Sequence, residues 1–220
     1  MKLDIIEADS LEIYSRFQAD EFDLVVTDPP YASTSEASSS VDRVNRPLKD
    51  LQFFEAWLRE HVREWIRILK PDGAVFMTID WRGALVLDRV AAKLNAREPV
   101  VGVWDKEMFG MGRILRRSYE CFVILPMQEF TRFAPSERDV WRIRWSTRSK
   151  ITSNPAEKPP ELFEKAIRLF GPTNAAVIDP FVGSGSSAVA AMNTACSRFV
   201  GIDRVVEDAK VRLGRAETEA

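Results

Sequence analysis

The sequence predicts a mixed α/β fold with a mainly parallel sheet that is covered by helices on both faces. Apolar runs typical of buried strands alternate with amphipathic helical segments along most of the chain. Two of these runs, residues 22–27 and 175–178, end directly in turns rich in proline or glycine. Because open α/β sheets bind ligands at such strand ends, the two turns predict two ligands held side by side, as a group-transfer enzyme requires.

Composition bounds the class of protein. The 220 residues carry a net charge of −2, with 45% apolar and 29% charged residues, which is typical of a globular protein of one domain. We expect a cytoplasmic protein, because no apolar run reaches the roughly 18 residues of a membrane span and the N-terminus shows no signal-peptide pattern. Cys121 and Cys196 lack CxxC spacing and suit core thiols, and His61 is the single histidine, so we expect neither a disulfide nor a metal centre.

Each strand follows from a local pattern. Residues 74–79 are almost wholly apolar, as a buried strand is, whereas residues 140–145 alternate between apolar and charged side chains, as a half-exposed strand does. The predicted strands are residues 3–8, 22–27, 74–79, 100–104, 119–125, 140–145, 175–178 and 199–202.

The helices follow from apolar residues that recur at three and four positions and from residues suited to helix starts. From Leu51 to Leu69 this recurrence indicates an amphipathic helix, which ends at a turn over residues 70–73. Ser10 can cap a first short helix, and the two prolines at 159–160 fix the start of a later one. The predicted helices are residues 10–17, 51–69, 83–94, 159–170, 186–193 and 207–213.

The turn after residues 175–178 predicts a nucleoside site. Gly183-Ser184-Gly185-Ser186-Ser187-Ala188 fits the G-x-G-x-x-[G/A] pattern, in which glycines let the backbone approach a ligand that N–H groups at the helix start can bind. Asp203 ends the next strand 24 residues after Asp179, close to the spacing of about 20 expected for a carboxylate that binds ribose hydroxyls. NAD(H) fits less well, because only one strand and one helix follow the turn and Asp179 suits a cation better than a pyrophosphate.

The other turn, Asp28-Pro29-Pro30-Tyr31, places hydrogen-bond acceptors in a rigid frame. Each proline fixes φ near −65° and removes an N–H donor, so the Asp28 carboxylate and the Pro29 carbonyl are acceptors without a competing donor. Together they can bind both N–H groups of an amine on a heteroaromatic ring, which localises the lone pair on its nitrogen. Tyr31 offers a flat face for stacking. Such a tetrad alone also fits a plain β-turn, but its pairing with the glycine turn favours a catalytic site.

With both turns, the chain resembles the β-class amino-methyltransferases of DNA, which use S-adenosylmethionine to methylate adenine N6 or cytosine N4. The motif order agrees over nearly the whole chain, with the tetrad upstream and the cofactor turn downstream. The resemblance implies one domain, residues 1–220, with a circularly permuted Rossmann-like sheet of seven strands in the order 3-2-1-4-5-7-6 and strand 7 antiparallel. It also implies direct transfer of the methyl group without a covalent enzyme intermediate.

The resemblance further implies roles for individual residues. The catalytic residues would be Asp28, Pro29, Pro30 and Tyr31, and the segment from Trp104 to Glu120 is similar to the one that lines the target-base pocket. Residues 154–159 are similar to a cofactor-pocket motif in which histidine usually stands at the position of Asn154. The implied cofactor-binding residues are Asp9, Ser10, Asp28, Lys158, Asp179, Pro180, Phe181, Gly183, Ser184, Gly185, Ser186 and Asp203.

Double-stranded DNA is the implied partner, and no membrane or metal is expected. Residues 131–152, which hold six basic and two acidic side chains, are the predicted target-recognition insert. So short an insert predicts a short recognised sequence or help from a second copy in a homodimer. The serine-rich residues 32–50 predict a mobile loop that closes over the flipped base. The expected DNA contacts come from Arg113, Arg116, Arg117, Arg142, Arg144, Arg148 and Lys150.

Three alternatives stay open at this point. Methylation of cytosine N4 is the first, although Asp28 favours adenine N6. Methyltransferases of RNA bases, and of glutamine side chains in proteins, use a related tetrad, commonly with asparagine at the position of Asp28. A catalytically silent nucleic-acid-binding subunit is the third alternative, and the intact tetrad and glycine turn argue against it.

Overall fold

A single eight-stranded sheet runs through the part of the protein that the computed structural model describes, residues 1–31, 50–110, 114–145, 152 and 157–219. The strands are β1 (Lys2–Glu7), β2 (Phe22–Thr27), β3 (Leu69–Ile79), β4 (Val100–Asp105), β5 (Tyr119–Pro126), β6 (Val140–Arg142), β7 (Ala176–Asp179) and β8 (Arg198–Asp203). They lie in the order β1-β8-β7-β2-β3-β5-β4-β6. Only β5 runs antiparallel to its neighbours among these strands, so the sheet is mainly parallel, as predicted.

Helices cover both faces of the sheet. They are α1 (Ser10–Ile13), α2 (Leu51–Ile68), α3 (Trp81–Lys93), α4 (Pro160–Phe170), α5 (Ser186–Asn193) and α6 (Glu207–Glu219). The apolar residues of α2 and α3 share one core cluster with Val25, and those of α4, α5 and α6 share a second cluster with Leu24 and Val26. Successive strand residues point to opposite faces, so the two clusters are the two layers of the core. In the described part of the chain, no helix combines the length and apolarity needed to cross a membrane.

The predicted number of seven strands, which came from the resemblance, is wrong. Strand β6 pairs in parallel with β4 and adds an eighth strand at the sheet edge, so the strand order also differs from the predicted one. The alternating pattern of residues 140–145 did indicate this strand. Trp141 explains why so short a strand is held, because its buried ring stacks on Phe122 with 4.2 Å between ring centroids.

The predicted capping residue of the first helix is also wrong. Asp9, not Ser10, is the N-cap, because the Asp9 carboxylate accepts a hydrogen bond from the Leu11 N–H at 3.0 Å. The α-helix ends at Ile13 and continues only as a 3₁₀ turn over Tyr14–Arg16, rather than as a helix to residue 17.

The turn predicted at residues 70–73 lies inside β3. Phe22 of β2 pairs with Leu69 of β3, but Leu24 pairs with Ala74, so the register shifts between these pairs. Residues 70–73 are therefore a bulge in β3, opposite the single residue Asp23 of β2. Proline and glycine in this segment mark an irregular backbone correctly, but they do not separate the helix from the strand.

Parallel pairing brings four acidic side chains to one edge of the sheet. Asp203 ends β8, Asp179 ends β7, and Asp28 directly follows β2. Asp9 follows β1, the neighbour of β8. Because the carboxyl ends of these parallel strands share one edge, residues far apart in sequence meet there.

A buried ion pair fastens the last helix to the segment before α4. Arg212 of α6 and Glu157 lie 2.7 Å apart, and each side chain is 4% exposed. The Thr152 hydroxyl also donates a hydrogen bond to Glu157, at 2.6 Å. Since Glu157 directly precedes Lys158, these contacts help to place a predicted site residue.

We predict that Arg212→Met lowers the free energy of unfolding by about 3–5 kcal/mol, because Glu157 would stay buried without its cation. The matched control Arg63→Met removes the partner of Glu60 from an exposed pair and should cost less than about 1 kcal/mol. Urea unfolding measures both variants. Equal losses in the two would contradict the structural importance of the buried pair.

Candidate active site

Asp28 lies at the centre of a hydrogen-bond network that joins segments distant in sequence. Its Oδ1 accepts hydrogen bonds from the Thr78 hydroxyl and from the Tyr31 hydroxyl, the latter at 2.7 Å. Its Oδ2 accepts a hydrogen bond from Lys158 Nζ at 2.6 Å. Thr78 stands beside Asp28 because β2 and β3 are paired neighbours.

Lys158, predicted as a cofactor ligand, directs its ammonium group to the tetrad. Lys158 Nζ lies 2.6 Å from Asp28, 3.5 Å from Glu120 and 5.2 Å from the centroid of the Tyr31 ring. Burial lowers the pKa of this lysine, but the negative charges of Asp28 and Glu120 outweigh burial and raise its pKa to about 12. Lys158 is therefore a cation throughout the physiological pH range.

Two residues that the sequence analysis did not single out complete the network. Glu120 of β5 accepts a hydrogen bond from the Tyr31 hydroxyl at 2.7 Å and another from Lys106 Nζ at 3.1 Å. Burial would raise the pKa of Glu120, but the charges of Lys158 and Lys106 lower it to about 2. Both residues fall in the segment expected to line the base pocket. No local motif marks them, since only the antiparallel pairing of β4 with β5 brings them together.

Tyr31 is held as a neutral phenol. Burial, followed by the negative charges of Asp28 and Glu120, holds its pKa well above the usual value. The phenol has one proton to donate, and a carboxylate oxygen lies 2.7 Å from the hydroxyl on each side. These contacts fix the position of the ring.

A cleft of about 150 Å³ opens beside Tyr31. Trp81 and Tyr119 form aromatic walls, and these two residues are 46% and 43% exposed. The remaining lining residues are Asp80, Lys106, Arg117, Glu120 and Cys121. Aromatic walls with a few charged groups suit a flat polar ring.

Asp179 is buried at the end of β7 and is already hydrogen-bonded. It accepts from the Thr27 hydroxyl at 2.6 Å, from the Phe181 N–H at 2.9 Å and from the Ser187 hydroxyl. Burial raises the pKa of Asp179 to about 7, although these hydrogen bonds lower it. The group therefore titrates near neutral pH, and a cation bound beside it would favour the ionised form.

Two glycines shape the turn that follows. Gly183 and Gly185 have φ values of +47° and +80°, in the left-handed region that favours glycine. A Cβ at Gly185 would also lie 3.0 Å from Ala209 Cα of α6. The Gly183 N–H donates a hydrogen bond to Asp203 Oδ2 at 2.9 Å, which ties the turn to the end of β8. Burial raises the pKa of Asp203, against the effect of such backbone hydrogen bonds.

The other residues predicted to bind the cofactor surround this turn. The Ser10 hydroxyl donates to the Pro180 carbonyl at 2.5 Å, and the Ser186 hydroxyl donates to the Lys158 carbonyl at 2.6 Å. Asp9 forms an ion pair with Arg204 in addition to capping α1. These polar contacts brace the turn against α1 and the start of α4.

An aromatic cluster borders the glycine turn. The Phe181 ring centroid lies 5.5 Å from that of Trp57 and 4.9 Å from that of His61. Burial lowers the pKa of His61 to about 3, and Tyr14 shares a hydrogen bond of 2.9 Å with its Nδ1. His61 is therefore a neutral packing residue. The sequence analysis did not identify Trp57 as a neighbour of the glycine turn, because its position in the helical pattern indicates only a core residue.

The predicted DNA contacts lie only partly within the described residues. Arg116 and Arg117 are exposed between β4 and β5, and Arg117 lines the cleft. Arg142 and Arg144 are exposed in β6 and just after it. Of the predicted insert, residues 131–145 and 152 are described. Outside the described residues lie Arg113, Arg148, Lys150, Asn154 and all of the predicted loop 32–50 except Asp50.

Neither cysteine is placed as a reactive thiolate or as part of a metal site. Cys121 and Cys196 are buried free thiols, and burial raises the pKa of each. Within residues 1–31, 50–110, 114–145, 152 and 157–219, no three His, Cys, Asp or Glu side chains are grouped to hold a metal ion.

Comparison with known proteins identifies the family. Residues 22–210 match the N6_N4_Mtase family, described as DNA methylase. Because this match spans most of the chain, the protein belongs to this family of DNA methylases.

Three similar proteins illustrate the relationship. YubD of Escherichia coli (strain K12), a methylase by name, is 30% identical over 201 residues, which are 90% of this chain and 83% of YubD. The cytosine-N4-specific PvuII DNA methyltransferase superposes with a TM-score of 0.76 and 17% identity, over 98% of this chain and 86% of that chain. TTHA0409 of Thermus thermophilus, solved in complex with S-adenosyl-L-methionine, gives a TM-score of 0.71 and 22% identity, over 98% and 96% of the two chains. The two solved structures show the shared fold.

We predict that Asp179 makes the protein less stable as the pH rises from about 4 to about 7. Its pKa is about 7 in the folded protein and near 3.9 in an unfolded chain, so the folded state binds the extra proton between these values. The free energy of unfolding then falls with pH, by up to about 4 kcal/mol from this group. Asp179→Asn should flatten the profile measured by urea unfolding, and an unchanged profile would contradict the assignment.

Proposed function

We propose that the protein transfers a methyl group from S-adenosylmethionine to the exocyclic amine of a base flipped out of double-stranded DNA. Membership of the DNA methylase family supports the reaction and the substrate. The cofactor found in the TTHA0409 complex supports the methyl donor. The observation that carries the proposal is the position of Lys158, whose carbonyl contacts Ser186 at the glycine turn and whose ammonium contacts Asp28 of the tetrad. The glycine turn and the tetrad, the two halves of the proposed site, therefore lie next to each other.

Asp28 retains room for the target amine. A carboxylate offers about four lone-pair sites, and within the described part of the chain Thr78, Tyr31 and Lys158 use three of them. The fourth site can accept one N–H group of the amine, and the Pro29 carbonyl can accept the other. Because both N–H groups are then held, the lone pair is localised on the nitrogen and directed at the methyl group.

The residues around the glycine turn fit a nucleoside with a cationic end. Asp203 Oδ2 accepts from the Gly183 N–H, whereas Oδ1 has a long contact of 3.5 Å with the Val205 N–H and is the oxygen we expect to accept from ribose hydroxyls. Phe181 is partly exposed and can present its ring to the adenine. Burial disfavours the ionised form of Asp179, so a neighbouring positive charge would stabilise that form. When bound, S-adenosylmethionine supplies a methyl group on a sulfonium, with a neutral thioether as the leaving group.

The cleft beside Tyr31 is the proposed pocket for the flipped base. Flipping costs a few kcal/mol, and stacking on a fixed aromatic ring returns about 1–3 kcal/mol. Cys121 lines the cleft as a thiol of raised pKa, which agrees with direct transfer rather than covalent attack on the base. We assign adenine N6 as the methyl acceptor on the basis of Asp28 in the tetrad, with cytosine N4 as the alternative within the same family.

We also infer that the sheet is a circular permutation of a Rossmann-like methyltransferase sheet. If β7 is counted first and the chain is followed through β8, then β1 to β5, the observed order without β6 is 3-2-1-4-5-7-6. Strand β5, the seventh in this count, is antiparallel. Strand β6 is then an addition at the edge.

The direct test is to incubate the protein with S-adenosylmethionine and mixed-sequence double-stranded DNA, digest the DNA to nucleosides and analyse them by mass spectrometry. We expect N6-methyladenine, absent when Asp28→Ala replaces the wild type. Detection of N4-methylcytosine instead would mean that cytosine N4 is the methyl acceptor. Bound cofactor without any methylated DNA would contradict the proposal and favour an RNA or protein substrate, or a silent DNA-binding subunit.

We predict that Asp203 and Asp28 have separate functions, the first in cofactor binding and the second in methyl transfer. Asp203→Ala should weaken S-adenosylmethionine binding roughly tenfold or more, because it removes the ribose acceptor. Asp28→Ala should leave that affinity within about threefold but lower the rate constant of methyl transfer roughly 100-fold or more, because it removes the acceptor of the amine. Calorimetry and single-turnover kinetics measure the two quantities. The reverse pattern would exchange the proposed roles.

We predict that Arg116 and Arg117 bind DNA phosphates. Replacing both with alanine should reduce the slope of log affinity against log salt by about 2, since each phosphate contact contributes about 0.9. The control Arg63→Ala removes an exposed arginine of α2 and should leave the slope unchanged. Fluorescence anisotropy over roughly 50 to 200 mM salt measures the slope, and an equal slope in all three proteins would remove the assignment.

A further inference from the structure

The loop between β4 and β5 presents apolar side chains to solvent beside the proposed base pocket. Ile114 is 97% exposed, Leu115 is 82% exposed and Phe109 is 71% exposed. Leaving such side chains in water is unfavourable, and a group of them at one place is typical of an interaction surface.

This loop has a fixed base. The Lys106 N–H donates to the Ser118 carbonyl at 2.8 Å, and the Gly110 N–H donates to the Arg117 carbonyl at 2.6 Å. A Cβ at Gly110 would lie 2.9 Å from that same carbonyl oxygen, so the close approach of the two loop arms requires glycine. The apolar side chains are therefore carried on two loop arms, residues 106–110 and 114–118, which these hydrogen bonds join next to the β4–β5 pair.

Positive charge flanks the apolar side chains. Arg116 lies over the Phe109 ring at 5.7 Å and donates to the Gly110 carbonyl at 3.1 Å, and Arg117 next to it lines the cleft beside Tyr31. A partner that fits this surface has an apolar interior directly next to anionic groups. Duplex DNA has this chemistry, because its stacked bases lie between two rows of phosphates.

We propose that Ile114 and Leu115 enter the base stack of the duplex at the position that the target base leaves. This inference rests on the proposed function. In it, these two side chains act as apolar wedges that keep the target base flipped out of the duplex. Apolar side chains that part base steps are an established means of distorting DNA. The neighbouring Arg117 places the wedge next to the pocket that receives the base.

The test compares paired and unpaired target bases. Methylation of plasmid DNA by the wild type first locates the target, and synthetic duplexes then carry it opposite its partner base or opposite an abasic site. We expect the double variant Ile114→Ala, Leu115→Ala to transfer methyl groups roughly 10- to 100-fold more slowly on the paired duplex. On the abasic duplex it should come within about twofold of the wild type, because the target base is already unpaired.

The control variant is Val211→Ala, which removes an exposed apolar side chain from α6 and should match the wild type on both duplexes. A second readout needs no methyl transfer. A 2-aminopurine at the target position should fluoresce more strongly when the wild type binds, and this increase should be lost in the double variant. Circular dichroism confirms folding, which fully exposed positions should not affect.

Three results would overturn the wedge. The first is an unchanged methyl-transfer rate of the double variant on the paired duplex, and the second is an equal loss of rate on both duplexes. The third is a change in self-association of the double variant in sedimentation, which would assign the surface to a protein partner. Failure of the wild type to methylate any DNA would contradict the proposed function. DNA methylation by the wild type, together with an equal rate for the double variant on the paired duplex, would contradict the wedge alone.

Discussion

The ion pair between Lys158 and Asp28 is the contact on which the rest of the site depends. The Lys158 side chain is 8% exposed and that of Asp28 is 21% exposed, and charges so far withdrawn from solvent are tolerated only when they are balanced and hydrogen-bonded. Here two cations, Lys158 and Lys106, alternate with two anions, Asp28 and Glu120, and the Tyr31 hydroxyl bridges the anions. The network is neutral as a whole, so the tetrad keeps an ionised acceptor without leaving an uncompensated charge in the protein interior.

The backbone around Lys158 explains how one residue can serve both half-sites. Glu157 is anchored to Arg212 of the last helix, and the Lys158 carbonyl accepts from Ser186 at the start of α5. From this anchored backbone, the Lys158 side chain extends to Asp28. The glycine turn and the tetrad are consequently held in a fixed relation, as the proposed in-line transfer between two bound molecules requires.

The main elements and both turns could be predicted from the sequence, because each has a local signal. The glycines at 183 and 185, the prolines at 29 and 30 and the apolar runs before them depend only on neighbouring residues. The other members of the hydrogen-bond network around Asp28 could not be predicted in the same way. Thr78, Lys106 and Glu120 become neighbours through strand pairing, and no local spacing marks them. The alternation of apolar and charged residues over 140–145 did indicate the eighth strand, but the resemblance implied only seven strands.

The most direct test of the central role of this ion pair is a double-mutant cycle with Asp28→Asn, Lys158→Met and the two combined. Urea unfolding gives the free energy of each protein. If the network is as described, each single variant removes one half of the 2.6 Å ion pair and leaves the other charge with weaker partners, so the double variant should lose less than the sum by about 2 kcal/mol or more. A coupling energy below about 0.5 kcal/mol would mean that the two residues act independently, and the account of a site built around their contact would be wrong.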